Sequence, residues 1–183
     1  CTLTYYDFDA KIIGDRSVSL RRCVTSSTQK DPFLKAVLTS RRFGGLMVSD
    51  YVEVFSRDTS TQFAALTFHL YDDVYLVSFR GTDNSLVGWK EDFVMSYRKT
   101  EGQIKSVEYL NTVIRGDRKY ILAGHSKGGN LALYGACHIS DEKLSRVIHI
   151  YNNDGPGLCP EVSDVSLIER IKDRVTAIHP QYC

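Results

Sequence analysis

The run YILAGHSKGGNLALYGA, Tyr120 to Ala136, leaves the chain little choice of local architecture. Apolar residues lead into a corner where Gly124, Gly128 and Gly129 surround one hydroxyl at Ser126, and helical periodicity resumes at once. Strand, sharp turn and helix together are the context in which Gly-x-Ser-x-Gly forms a nucleophile elbow. The physical reason is crowding. A serine thrust above the end of a sheet takes up a strained backbone conformation, and side chains two residues to either side would strike neighbouring backbone. The helix that follows turns its N-terminus toward any oxyanion formed on the serine. A phosphate-binding turn is the competing reading. It would need G-x-G-x-x-G spacing or the G-K-S/T order of a P-loop, and the segment has neither. Ser126 is therefore the candidate nucleophile and the N–H of Lys127 a candidate oxyanion donor. The side chains of His125 and Lys127 are read as neighbours rather than catalysts.

The rest of the chain supplies the sheet that such a corner needs. Asp31 as N-cap and Pro32 at the first helical position predict a helix carrying Phe33, Leu34, Val37 and Leu38, stopped at Gly44-Gly45. FAALTFHL (63–70) and VYLVSFR (74–80) flank Asp72-Asp73 as a β-hairpin. The second of these runs is apolar enough for a central strand buried on both faces. QIKSVEYLNTVIR then places Ile104, Val107, Leu110, Val113 and Ile114 on one helical stripe. After the corner come the strand RVIHIY, a helix SDVSLIERIKD capped by Ser163, and the strand RVTAIHP. The first 30 residues give no clear pattern. Alternating strands and helices predict an α/β sandwich: a mainly parallel sheet, an antiparallel hairpin on its N-terminal side, and helices on both faces.

Composition narrows the function classes. At 183 residues and 20.7 kDa the chain fits one domain, 1–183, and its ends, Cys1 and Cys183, read as cuts in a longer protein. Hydrophobic residues at 43% and charged residues at 25% fit a soluble globular protein. A net charge of +1 gives no footprint for nucleic acid, and the pairs Arg21-Arg22 and Arg41-Arg42 read as solvated surface. No stretch reaches the roughly 18 to 20 apolar residues of a membrane span. Five scattered cysteines without a C-x-x-C pair suggest neither a metal site nor a redox motif. Reduced thiols in a cytoplasm are the expectation, and a secreted protein with its signal removed is the alternative.

A second oxyanion donor is expected from the loop after an earlier central strand, where Arg80, Gly81 and Thr82 follow VYLVSF. Thr82 is the candidate, and an ordinary strand-end turn is the other reading. The segments FRGTD, GWKEDF, GHSKGGNLALY and YNNDGPG occur in this order. Together with Tyr5-Tyr6-Asp7-Phe8, Arg42-Phe43-Gly44 and Gln62-Phe63-Ala64-Ala65, they resemble a bacterial family of lipase-like α/β-hydrolases of unassigned substrate, related to class-three lipases. The resemblance implies an α/β-hydrolase fold, Ser126 as nucleophile and the Thr82 loop as oxyanion loop, with no metal or organic cofactor.

The triad on this fold runs serine, acid, histidine along the chain. Asp154, 28 positions after Ser126 in NNDGPG, is the candidate acid, and an Asp-Gly-Pro-Gly turn is its structural alternative. Asp164 reads as a helix-start residue and Asp173 as a helix-end residue. Among the histidines, His179 alone ends a suitable strand, while His69, His138 and His149 fall within strand or helix patterns. The resemblance places the base in chain following Cys183. The expected activity is cleavage of carboxylic esters, acyl lipids included, with Leu86, Val87 and Trp89 lining an acyl pocket or lid, or Trp89 anchoring the core. A non-catalytic binding domain on the same fold and an acyltransferase using the same triad are the alternatives. Oligomeric state is not legible.

Overall fold

The computed structural model describes residues 17–23, 32–56, 58, 61–82, 94–95, 97–160 and 163–181. Asp31, Leu86, Val87 and Trp89 lie outside these residues. One seven-stranded sheet organises the chain, with strands β1 (Val18–Ser19), β2 (Met47–Ser56), β3 (Thr61–Tyr71), β4 (Val74–Phe79), β5 (Lys119–His125), β6 (Val147–Asn153) and β7 (Val175–Ile178) in sequential order. β1 to β4 pair antiparallel and β4 to β7 parallel, so five strands (β2 and β4 to β7) run the same way. The helices are α1 (Leu20–Cys23), α2 (Pro32–Thr39), α3 (Glu101–Val113), α4 (Lys127–His138), α5 (Asp141–Leu144) and α6 (Val165–Glu169), with a 3-10 turn at Lys172–Arg174.

The hairpin forms as read, with Asp72 at φ 43° in the turn. Its neighbour β2 was not legible, and the reason is local. Ser49 pairs with Thr67 but Val52 with Ala65, so the strand bulges by one residue, and Asp50 sits at φ 56° in that bulge. The bulge interrupts the period of two that marks a strand. Tyr109 of α3 donates to the Asp50 carbonyl at 2.7 Å and shares a 2.9 Å bond with the Thr67 hydroxyl, which pins the bulge from the helix side. The most deeply buried strand is β3 rather than β4: residues 61–68 are all buried, whereas β4 is fully buried only at Val77 and Phe79.

Two apolar cores result from the alternation of side chains across the sheet. On one face Phe63, Val77, Phe79, Leu122 and Ile150 pack against Tyr109, Leu110 and Val113 of α3 and Leu131 and Ala132 of α4. Near the N-terminal edge, Val48, Leu66 and Phe68 pack against Leu20, Leu34 and Leu38 of α1 and α2. α2 ends at Thr39, short of Gly44-Gly45. Ser40 stops it, its hydroxyl donating to the Val37 carbonyl at 2.9 Å and accepting from the Phe43 N–H at 2.9 Å. α6 is capped by Asp164, which accepts from the Ser166 N–H at 2.8 Å, and not by the buried Ser163. The Asp164 carboxyl pKa is lowered by that backbone hydrogen bond. α3 starts from a capping box: Thr100 and Gln103 exchange backbone and side-chain bonds at 3.0 and 3.3 Å. Among the described residues no helix is long and apolar enough to cross a membrane.

Candidate active site

Ser126 stands between β5 and α4 at φ 53°, ψ −127°, a conformation that costs an L-residue of order 1–3 kcal/mol. The surroundings enforce it. A Cβ at Gly124 would come within 2.7 Å of three Gly128 backbone atoms, and one at Gly128 would lie 2.3 Å from the Phe79 carbonyl oxygen. Both glycines are therefore demanded by contact between the end of β5, the first turn of α4 and the end of β4. Ser126 N–H donates to the Asn153 carbonyl at 2.9 Å, which fixes the corner to the end of β6. The Ser126 carbonyl accepts from the Gly129 N–H at 2.9 Å and begins the helix.

The loop after β4 lies against this corner. A Cβ at Gly81 would be 2.7 Å from the His125 carbonyl oxygen and 3.8 Å from Ser126 Cβ, so Thr82 follows directly on a residue in contact with the elbow. Lys127 occupies the first position of α4, where a helix cannot satisfy its N–H groups internally. Its side chain is no bystander. It is 1% exposed, and Nζ donates to the Gln62 carbonyl at 2.7 Å, tying the elbow helix to the start of β3.

Asp154 follows β6 as Ser126 follows β5 and His179 follows β7, because His125, Asn153 and Ile178 share one register row. Asp154 sits at φ 55° and its N–H donates to the Ile178 carbonyl at 2.7 Å. The residue is thus a turn former, and it also stands beside the serine. Its Oδ1 lies 3.7 Å from His179 Nδ1, with Asp154 a third and His179 two thirds exposed. The spatial order of strand ends is Ser126, Asp154, His179. His69 is bonded at 2.9 Å to Ser49, His149 at 2.9 Å to Thr176, and His138 stacks on Tyr134. These three are packed residues, as their patterns suggested.

Sequence reasoning missed the polar residues behind the corner. Gln103, Asn130 and Asn152 are each buried; Asn130 and Asn152 hydrogen-bond to the loop that carries Asp154, and Gln103 reaches it through Asn130. The available signal was Asn130, a carboxamide in the otherwise apolar run of α4. Among the described residues no group of His, Cys, Asp and Glu is placed to hold a metal ion. An open groove lined by Arg21, Lys35, Leu38 and Thr39 belongs to α1 and α2, away from the elbow.

The family model described as Mbeg1-like matches residues 37–183, which include every element from the end of α2 to β7. The chain belongs to the Mbeg1-like family. A comparison with curated proteins finds no match. Among solved structures, M37 lipase is similar at 19% identity and a TM-score of 0.54, over 79% of this chain and 58% of that one. A fungal lipase in complex with an inhibitor is similar over 59% of this chain and 49% of that one, at 20% identity and a TM-score of 0.42. The Mbeg1-like chain thus spans a little over half the length of M37 lipase. The first likeness bears on architecture, and with the strand order it places the fold in the α/β-hydrolase type.

Proposed function

We propose that the protein is a serine hydrolase acting on carboxylic esters, acyl lipids included. The observation that carries the reading is Ser126 held at φ 53° on a strand-to-helix corner by backbone contacts at Gly124 and Gly128. A solvent-facing turn has no need of such strain, whereas a nucleophile presented above a sheet does. Ser126 Oγ attacks the ester carbonyl, and the tetrahedral oxyanion is held by the N–H of Lys127 and by the N–H and hydroxyl of Thr82. Each such donor is worth roughly 3 to 4 kcal/mol in the transition state. The lipase architecture of M37 lipase supports the ester class.

Asp154 is the acid of this reading. A base must stand within about 3 Å of the serine oxygen. The strand order puts Asp154 between Ser126 and His179, two strand spacings of roughly 4.8 Å each. In this reading His179 is a partner of Asp154, Nδ1 to Oδ1 at 3.7 Å, rather than the base. The reading requires a histidine base within reach of Ser126. Without one, the site is a binding module on the same fold. The test is labelling of the full-length protein with a fluorophosphonate and mapping of the adduct by mass. The reading expects a single adduct on Ser126 that is absent in Ser126→Ala; an unlabelled, folded protein ends it. Product formation on an added alcohol at the expense of free acid would identify acyl transfer.

A further inference from the structure

Behind the corner, three carboxamides are wired in a fixed direction. Thr100 N–H donates to Gln103 Oε1 at 3.0 Å, so the other end of that amide must be its NH2 group. Gln103 Nε2 donates to Asn130 Oδ1 at 2.9 Å, which in turn leaves Asn130 Nδ2 as a donor. Asn130 Nδ2 spends both hydrogens on backbone carbonyls, Gly157 at 2.9 Å and Pro156 at 3.2 Å. A backbone donor at one end and two backbone acceptors at the other remove the usual ambiguity of amide orientation. Gln103 is 0% and Asn130 1% exposed, so no water substitutes for these bonds cheaply.

The relay ends on the loop that carries Asp154. Asn152, 4% exposed, closes the same loop from below: Nδ2 donates to the Gly155 carbonyl at 3.0 Å and Oδ1 accepts from the Gly155 N–H at 2.9 Å. Asn130 also belongs to the first turn of α4, four residues after Ser126, whose carbonyl accepts from its N–H at 3.4 Å. One residue therefore touches both the helix that presents the nucleophile and the turn that presents the acid.

We propose that Asn130, oriented by Gln103, is a positioning residue that locks the Asp154 turn to the nucleophile elbow. The proposal rests on the reading of Ser126 and Asp154 given above. Its mechanical core is independent of that reading: Asn130 ties Pro156 and Gly157, next to the Asp154-Gly155 turn, to α4. Losing it frees two carbonyls and lets Asp154, already at φ 55°, relax toward an ordinary conformation.

The experiment uses the full-length protein with Asn130→Ala and Gln103→Leu, the second leaving Asn130 in place without the group that orients it. Hydrogen exchange at the Asp154 and Gly155 amides is read first. Both variants are expected to exchange faster there than wild type by at least about 10-fold, with the core of β5 unchanged. On a p-nitrophenyl ester, kcat is then expected to fall by about 10- to 100-fold, with KM within about 2-fold, as misplacement of a catalytic group does. Unchanged exchange in folded Gln103→Leu overturns the proposal even if Asn130→Ala does not fold. Faster exchange with wild-type kcat also overturns it. A wild-type protein that neither labels nor turns over ester overturns the hydrolase reading instead, and the exchange result still decides whether Asn130 holds the turn.

Discussion

Asp154 and His179 face each other across the ends of β6 and β7, Oδ1 to Nδ1 at 3.7 Å, with Asp154 following the strand next to the one that ends at Ser126.

The expected outcome is asymmetric. Asp154→Asn should lower kcat on a soluble ester by at least about 100-fold, in the range that acid and base groups supply. His179→Ala should change it by less than about 5-fold, since a pair this exposed contributes at most about 1 kcal/mol. Steady-state kinetics on the full-length variants decide the matter. A large loss in His179→Ala would make His179 the base.

The corner itself should tolerate no added carbon. In Gly124→Ala the new Cβ would meet Gly128 backbone at 2.1 Å, and backbone at that point is also pressed against Phe79. Overpacking of this kind costs roughly 1–3 kcal/mol or more. A drop in urea midpoint with unchanged m-value is the expected readout, and a wild-type midpoint would refute the contact.

Acid should weaken the N-terminal half of the sheet through His69. Burial first, and the Arg118 guanidinium second, hold its pKa below the ordinary 6.5, against the opposing pull of Asp50. Ser49 bonds one ring nitrogen at 2.9 Å, Ser17 lies 3.5 Å from the other, and the Tyr75 ring packs edge-on. The unfolded chain takes up the proton first. The stability due to neutral His69 is therefore complete above pH 6.5 and lost as pH falls from there through the folded-state value. Urea midpoints at pH 7.5 and 5.0 should show a smaller acid-side loss in His69→Gln than in wild type.

The two described thiols should differ sharply toward alkylation. Cys137 is buried in α4 and burial raises its pKa to about 11, against a smaller opposing effect of Arg170. Cys159 is half-buried in the loop after β6. Because the thiolate is the reacting form, iodoacetamide at pH 8 should modify Cys159 in the native protein and reach Cys137 only on unfolding. Peptide mass mapping against time measures both.

Much of this molecule is written in local patterns. The elbow, the hairpin at Asp72-Asp73, the α3 stripe and the strands on either side of α4 follow from periodicity and from glycine spacing, which act over a few residues. β2 escaped because the bulge at Asp50 breaks the period of two, and its compensation comes from Tyr109, 59 residues away. The cap of α6 moved by one residue because Ser163 and Asp164 are both capping types, and burial of Ser163 settles which one reaches the helix.

The site divides along the same line. Sequence alone located the crowded strand-to-helix corner at Ser126, because the clash of Gly124 with Gly128 is a matter of backbone sterics within five residues, whereas the contact of Gly128 with Phe79 is tertiary. Tertiary structure decided what surrounds that serine. Lys127 turned out to be buried against Gln62, Asp154 to stand beside the corner with His179 beyond it, and Gln103 and Asn130 to hold the turn after β6. Those contacts join residues tens of positions apart. They follow from strand order and register, which no short-range pattern encodes.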